Sequence, residues 1–111
     1  MNLSFSPQRG LLGQQETTIV VSGDTIIVDG TAFDLSAVPE GGEATPEGVH
    51  PFVGTITRQG GVIHATVRIR LDGTAEREQP SDPAHWVILG AAGPVEIPAI
   101  RWPEPQEEDG N

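Results

Sequence analysis

The segment TTIVVSGDTIIVDGTAFDL, Thr17 to Leu35, decides the fold class. Three short runs rich in β-branched residues are separated by Gly23-Asp24 and by Asp29-Gly30. Such pairs are favoured two-residue hairpin turns, because they accept the positive φ angles that match the twist of the flanking strands. Counting outward from two turns of that kind sets Val21 opposite Ile26, Ile19 opposite Val28, and Ile26 opposite Phe33. One face then carries Ile19, Val21, Ile26, Val28, Phe33 and Leu35. The other carries Thr18, Ser22, Thr25 and Asp34, with Val20, Ile27 and Ala32 as its apolar members. A slip of one residue at either turn would scatter the apolar set, so the two turns support each other and predict an antiparallel meander with the first face on the core.

A second hairpin is predicted downstream, with Phe52 to Arg58 leading through Gln59-Gly60 into Gly61 to Leu71. In its return strand Ile63, Ala65, Val67, Ile69 and Leu71 alternate with His64, Thr66, Arg68 and Arg70, the period-two signature of a half-buried strand. Leu3 and Phe5 alternate with polar neighbours until Pro7, Ala84 to Leu89 reads as a further strand, and Pro94 to Ile97 as a short edge strand bounded by prolines. Val38 to Pro51 and Asp72 to Pro83 read as loops. Fourteen glycines and ten prolines punctuate these runs, which is the grammar of an all-β domain.

The chain has 111 residues, room for one small core and no second domain. The expected organisation is a single domain over residues 1–102. Residues 103–111 are expected to form a disordered acidic tail, since they hold four acids and no apolar residue to bury. Without cysteine the chain has neither disulfides nor thiolate metal sites. No basic start followed by an apolar run opens the sequence, and no apolar stretch reaches the roughly 20 residues that cross a bilayer. A cytoplasmic protein of the host cell, with no membrane partner, is the expectation.

The formal net charge is −10, and all six cations are arginine. Such a balance repels phosphate, and no basic patch with interleaved aromatics is present, so nucleic acid is not an expected ligand. Glu47, His50, His64 and His85 are the candidate metal ligands. Pro46 and Pro51 bracket Glu47-x-x-His50 in a loop, where it lacks the helical geometry its spacing needs, and no metal or other cofactor is expected. Nothing resembles Gly-x-Ser-x-Gly or another nucleophile motif, so no catalytic residue is assigned and an enzyme is not expected.

The candidate partner-binding residues are His64, Arg68 and Arg70, which share a strand face, and Trp102, which follows Arg101 at the end of the patterned region. The competing reading of the two arginines is cross-strand pairing with acids on the neighbouring strand. Trp86 reads most simply as core.

Several of these segments resemble a known group. Ser22-Gly23-Asp24, Val28-Asp29-Gly30, Phe33-Asp34-Leu35-Ser36, Pro39-Glu40-Gly41, the Gly61 to Leu71 strand and the opening Met1 to Pro7 are together similar to small uncharacterised prophage proteins encoded among phage tail and tail-fibre genes. The resemblance spans residues 1–98. It departs where Arg68 and Arg70 interrupt the long strand and where Asp72-Gly73 follows it. The resemblance implies a phage accessory role and brings no catalytic residue.

The sequence thus predicts an all-β domain of six to eight short strands, in antiparallel meanders and hairpins that form a sandwich or open barrel. Its core is expected around Ile19, Val21, Ile26, Val28, Phe33, Val67, Ile69 and Trp86. The expected function is a structural or assembly accessory of the phage tail module, acting through a protein partner such as a tail component or through homo-oligomers, in the host cytoplasm or with the virion. The alternative is a β module that binds a small molecule or carbohydrate in a groove lined by Trp86, Trp102, Arg68 and His64.

Overall fold

The computed structural model describes residues 1–9, 14–73, 75 and 78–101. Trp102 and the 103–111 tail lie outside the described residues, and so does the 10–13 segment. The described chain holds nine strands: β1 (Asn2–Arg9), β2 (Ile19–Ser22), β3 (Thr25–Val28), β4 (Thr31–Asp34), β5 (Glu43–Ala44), β6 (Ile56–Gln59), β7 (Val62–Leu71), β8 (Val87–Ile88) and β9 (Gly93–Val95). The short β5, in the Val38 to Pro51 stretch expected to be a loop, takes the number past the six to eight expected. The only helix among the described residues is a single 3-10 turn, Pro83–Trp86, and no helix there is long and apolar enough to cross a membrane.

Two sheets form, in the orders β5-β6-β7-β1-β8 and β4-β3-β2-β9. They do not close into a barrel. They share one core, to which both contribute: Ile19, Val21, Ile26 and Val28 from the second sheet, and Leu3, Phe5, Ile63, Val67 and Ile69 from the first. This is a sandwich of the expected all-β class.

The meander has the register counted from its turns, with Val21 opposite Ile26, Ile19 opposite Val28, and Ile26 opposite Phe33. Asp29 and Gly30 both adopt positive φ, 51° and 82°, as the tight turn with the twist of the strands requires. Asp29 tolerates it because its carboxylate accepts a hydrogen bond from the Thr18 N–H at 3.0 Å. The second hairpin is shifted by one residue from expectation. Gln59 pairs with Val62, so Gly60-Gly61 is the turn, and the first strand begins at Ile56. Before it, only Phe52 bridges to Val67, with Val53 N–H donating to Thr66 at 2.9 Å and Arg68 N–H to Pro51 at 2.6 Å.

Two readings are corrected. Ala84 to Leu89 is not one strand: Pro83–Trp86 is helical, and only Val87–Ile88 pairs, with Ser4 and Leu3. Asp82 caps the turn by accepting from Ala84 N–H at 3.0 Å, and Pro83 occupies its first position, a start signal that outweighs the β-propensity of the residues behind it. The opening strand also runs past Pro7 to Arg9. Since β8 covers only Leu3 and Ser4, the outer side of β1 is an edge at Pro7, where the missing N–H is tolerated.

The arrangement that sequence patterning left open is the pairing of β1 with β7. It is parallel, from Asn2 opposite His64 to Arg9 opposite Leu71, and the whole of β2 to β6 forms the crossover between them. On the other side of β7, away from β1, Thr17 bonds its far end: the Thr17 N–H donates to Arg70 O at 3.0 Å, and the Thr17 hydroxyl accepts from Arg70 N–H at 2.8 Å.

Arginine ties the sheets at their rims. Arg58 lies opposite the buried Ile63 and therefore points into the sandwich, where only 14% of its side chain is exposed. Its Nε donates to Val38 O at 2.7 Å and its terminal nitrogen bonds Asp24 at 3.0 Å, so one side chain on β6 holds both the β2-β3 turn and the loop after β4. Arg101 makes a two-pronged bond to Glu16, at 2.5 and 2.6 Å. Arg58→Ala should lower unfolding stability by about 1–3 kcal/mol, because it strands a partly buried carbonyl and carboxylate. A urea midpoint that falls with an unchanged slope would report this, and an unmoved midpoint would refute the role.

Candidate functional site

The residues singled out from the sequence do not form one site. His64 and Arg68 lie on the outer face of β7, opposite Asn2 and Ser6 of β1. A shallow cavity of about 290 Å³ opens there, lined by Asn2, Ser4, Thr57, His64 and Thr66 among others, and Arg68 is not part of its wall. Arg70 leaves the stripe. Its Nε donates to Gln15 O at 2.6 Å, and its terminal nitrogen lies 3.5 Å from Asp29 of the β3-β4 turn. Its acid thus comes from the other sheet, whereas the neighbouring strand offers Ser6 and Gln8. Arg68 is exposed, and its guanidinium has no partner among the described residues. Trp102 lies outside them.

Trp86 is buried at 3% exposure and donates from Nε1 to Pro80 O at 2.9 Å, which places it in the core and not in a groove. The histidines stand apart. His50 Nδ1 accepts from Phe52 N–H at 3.2 Å, and His85 Nε2 lies 2.5 Å from Pro98 O. Among the described residues no three His, Asp or Glu side chains gather as a metal site.

A different place has the form of a binding site. Phe33 of β4 was expected on the core face, but it is only partly buried. It meets Phe52 of the other sheet edge to face, ring centres 5.3 Å apart at 83°, and two cavities open beside it. One, of about 380 Å³, is lined chiefly by Phe33, Leu35, Val38, Pro46, Phe52 and Ile56. The second, of about 360 Å³, is lined by Val28, Thr31, Phe33, Val49, His50 and Pro51 among others. Together they make an apolar seam along the β4 side of the sandwich, with Val49 fully exposed at one end.

The loop after β4 builds one wall, and side chains fix it from two directions. Arg58 holds Val38 O, while Glu40 reaches back to accept from the N–H groups of Gly60 and Gly61, both at 2.7 Å. Asp34 closes the strand by accepting from Ser36 N–H at 2.9 Å. The Ser36 hydroxyl, and then this N–H, hold the Asp34 carboxyl below its ordinary value of 3.8, so it carries its charge at the mouth of the seam. No local signal could have found it: the alternation puts Phe33 on the inward face without recording what lies over it, and the one strand in the stretch that follows, β5, pairs with β6.

No protein-family model matches the chain, and neither a curated protein nor a solved structure does.

Two measurements check this geometry. Arg70→Ala should cost about 0.5–1.5 kcal/mol of stability, because it cuts the bond to Gln15. Arg68→Ala should change stability by no more than about 0.5 kcal/mol; equal costs would contradict the different surroundings of the two residues. Ser36→Ala should raise the Asp34 pKa, followed by NMR titration. Since the folded value is the depressed one, the stability this turn contributes is fully present above about pH 3.8 and is lost as pH falls through the folded pKa.

Proposed function

We propose that the protein is a non-enzymatic contact module that works by binding another protein, as a structural or assembly accessory of a phage or prophage tail. The observation that carries this reading is the apolar seam beside β4, an unpaired edge of the second sheet. A sheet edge next to uncovered apolar surface is where polypeptides add to β proteins. The chemistry of the seam favours the same reading: its walls are mainly aliphatic and aromatic, with Asp29, Thr31, Asp34 and Thr45 among them and His50 as the one imidazole, and that ring already accepts from Phe52 N–H. The tail context rests on the resemblance of the turn and strand motifs to small prophage proteins.

The test is capture of the tagged full chain from source cells after prophage induction, with the co-eluting proteins identified by mass spectrometry. Tail or tail-fibre proteins are expected in stoichiometric amount, surviving moderate salt because apolar contacts are not screened. A chain that elutes alone overturns the reading.

A further inference from the structure

The backbone of β4 is addressed outward at two positions. In the two-residue β3-β4 hairpin the pair closing the turn, Val28 and Thr31, exchanges hydrogen bonds, and such pairs alternate along the ladder. Phe33 and Leu35 therefore also bond toward β3, and Leu35 N–H indeed donates to Asp24 O at 2.9 Å. The N–H and C=O groups of Ala32 and Asp34 face the other way, where no described strand pairs with them.

The other three edge strands are blunted in the ways β proteins usually blunt them, and the part of β1 that β8 leaves open carries Pro7. β5 and β8 are two residues long. In β9 the position between the two bonded ones is Pro94, which has no N–H to offer. β4 runs four residues with no proline and no lysine.

We infer that β4 receives an extended segment of a partner protein, apolar at alternate positions and basic at the others, as a fifth strand of the second sheet. This rests on the contact-module reading and adds the chemistry of the partner. Alternate side chains of an added strand would enter the seam over Phe33, Phe52 and Val49. Those between them would face outward, beside acids. Asp34 lies on the edge itself, and the exposed Glu43 and Glu47 adjoin the lining residues Ala44 and Pro46. No arginine lines either cavity. A second copy of this chain is a poor occupant, because two chains of net charge −10 would meet along the same acidic rim.

The experiment uses the full chain and labelled peptides of about six residues, the usual strand length. One alternates valine with lysine, one alternates valine with glutamate, and one has the composition of the first with its lysines and valines in separate blocks. Anisotropy at physiological salt reads binding, and amide hydrogen exchange reads its place. The alternating lysine peptide is expected to bind at least about tenfold more tightly than either control, a difference of about 1.4 kcal/mol, and to slow exchange at Ala32 and Asp34. Ala32→Pro removes an outward N–H without touching the β3-β4 ladder, and is expected to lose at least tenfold affinity.

Binding that ignores the charge or the alternation, or protection elsewhere on the wild-type chain, overturns the inference whether or not the proline variant folds. So does a wild-type dimer that Ala32→Pro converts to monomer. Capture of a tail protein equally by wild type and Ala32→Pro would sink the edge and keep the contact-module reading. Peptide binding at β4 with no tail protein captured would do the reverse.

Discussion

The parallel pairing of β1 with β7 is the constraint on which the other contacts hang. Eight residues of each strand lie side by side, and the chain between them has to leave one end of this ladder and return to the other. That path is long enough to build three of the four strands of the second sheet, and β9 joins them after β7. Leu3 and Phe5 on one strand and Ala65, Val67 and Ile69 on the other present a continuous apolar face, which the meander covers with Ile19, Val21, Ile26 and Val28. The hydrogen bonds of Thr17 to Arg70 tie the start of the meander to the far end of β7, on the side away from β1.

With so few aromatic side chains, the rims are closed by ion pairs that span the sheets. Arg58 reaches the β2-β3 turn, Arg70 the β3-β4 turn, and Arg101 joins Glu16 with Asp72 3.5 Å away. Guanidinium suits the task because its planar fork holds a carboxylate or carbonyl in fixed geometry while its stem lies against apolar surface. In each case the acid comes from a turn or connecting segment: Asp24 and Asp29 from the turns of the meander, and Glu16 from the segment that joins β1 to β2. Arg68, exposed on β7, stands outside this scheme, and no arginine lines the seam at β4. Of the acids on that side Asp29 is paired with Arg70, while Asp34, Glu43 and Glu47 make no ion pair among the described residues.

That side shows how one structural gap combines several ordinary features. The Glu40 carboxylate and the Arg58 side chain hold the loop after β4 against β6, which keeps the seam walled but not roofed. Phe33 then serves two layers at once, as a core residue against Phe52 and as the floor of two cavities. Outward backbone groups at Ala32 and Asp34 add direction to a surface that apolar packing alone would leave non-specific.

The sequence by itself determined the meander, its turns and its inward face, because a two-residue turn and a period of two together admit one register. It also determined the alternation of β7 and an edge strand at Pro94, although that strand is Gly93–Val95, with the proline in its middle, and stops short of the expected Ile97. It carried, unread, the Asp82-Pro83 helix start that displaced the strand expected at Ala84. Only tertiary structure decided that β1 runs parallel to β7, since alternation along a strand is the same whichever way its neighbour runs. It alone separated Arg70 from Arg68, two residues that share a strand face, because the acid that claims Arg70 comes from a turn 41 positions earlier in the chain. And it alone left β4 uncovered: burial depends on what packs over a residue, and no local pattern records that the next strand is missing.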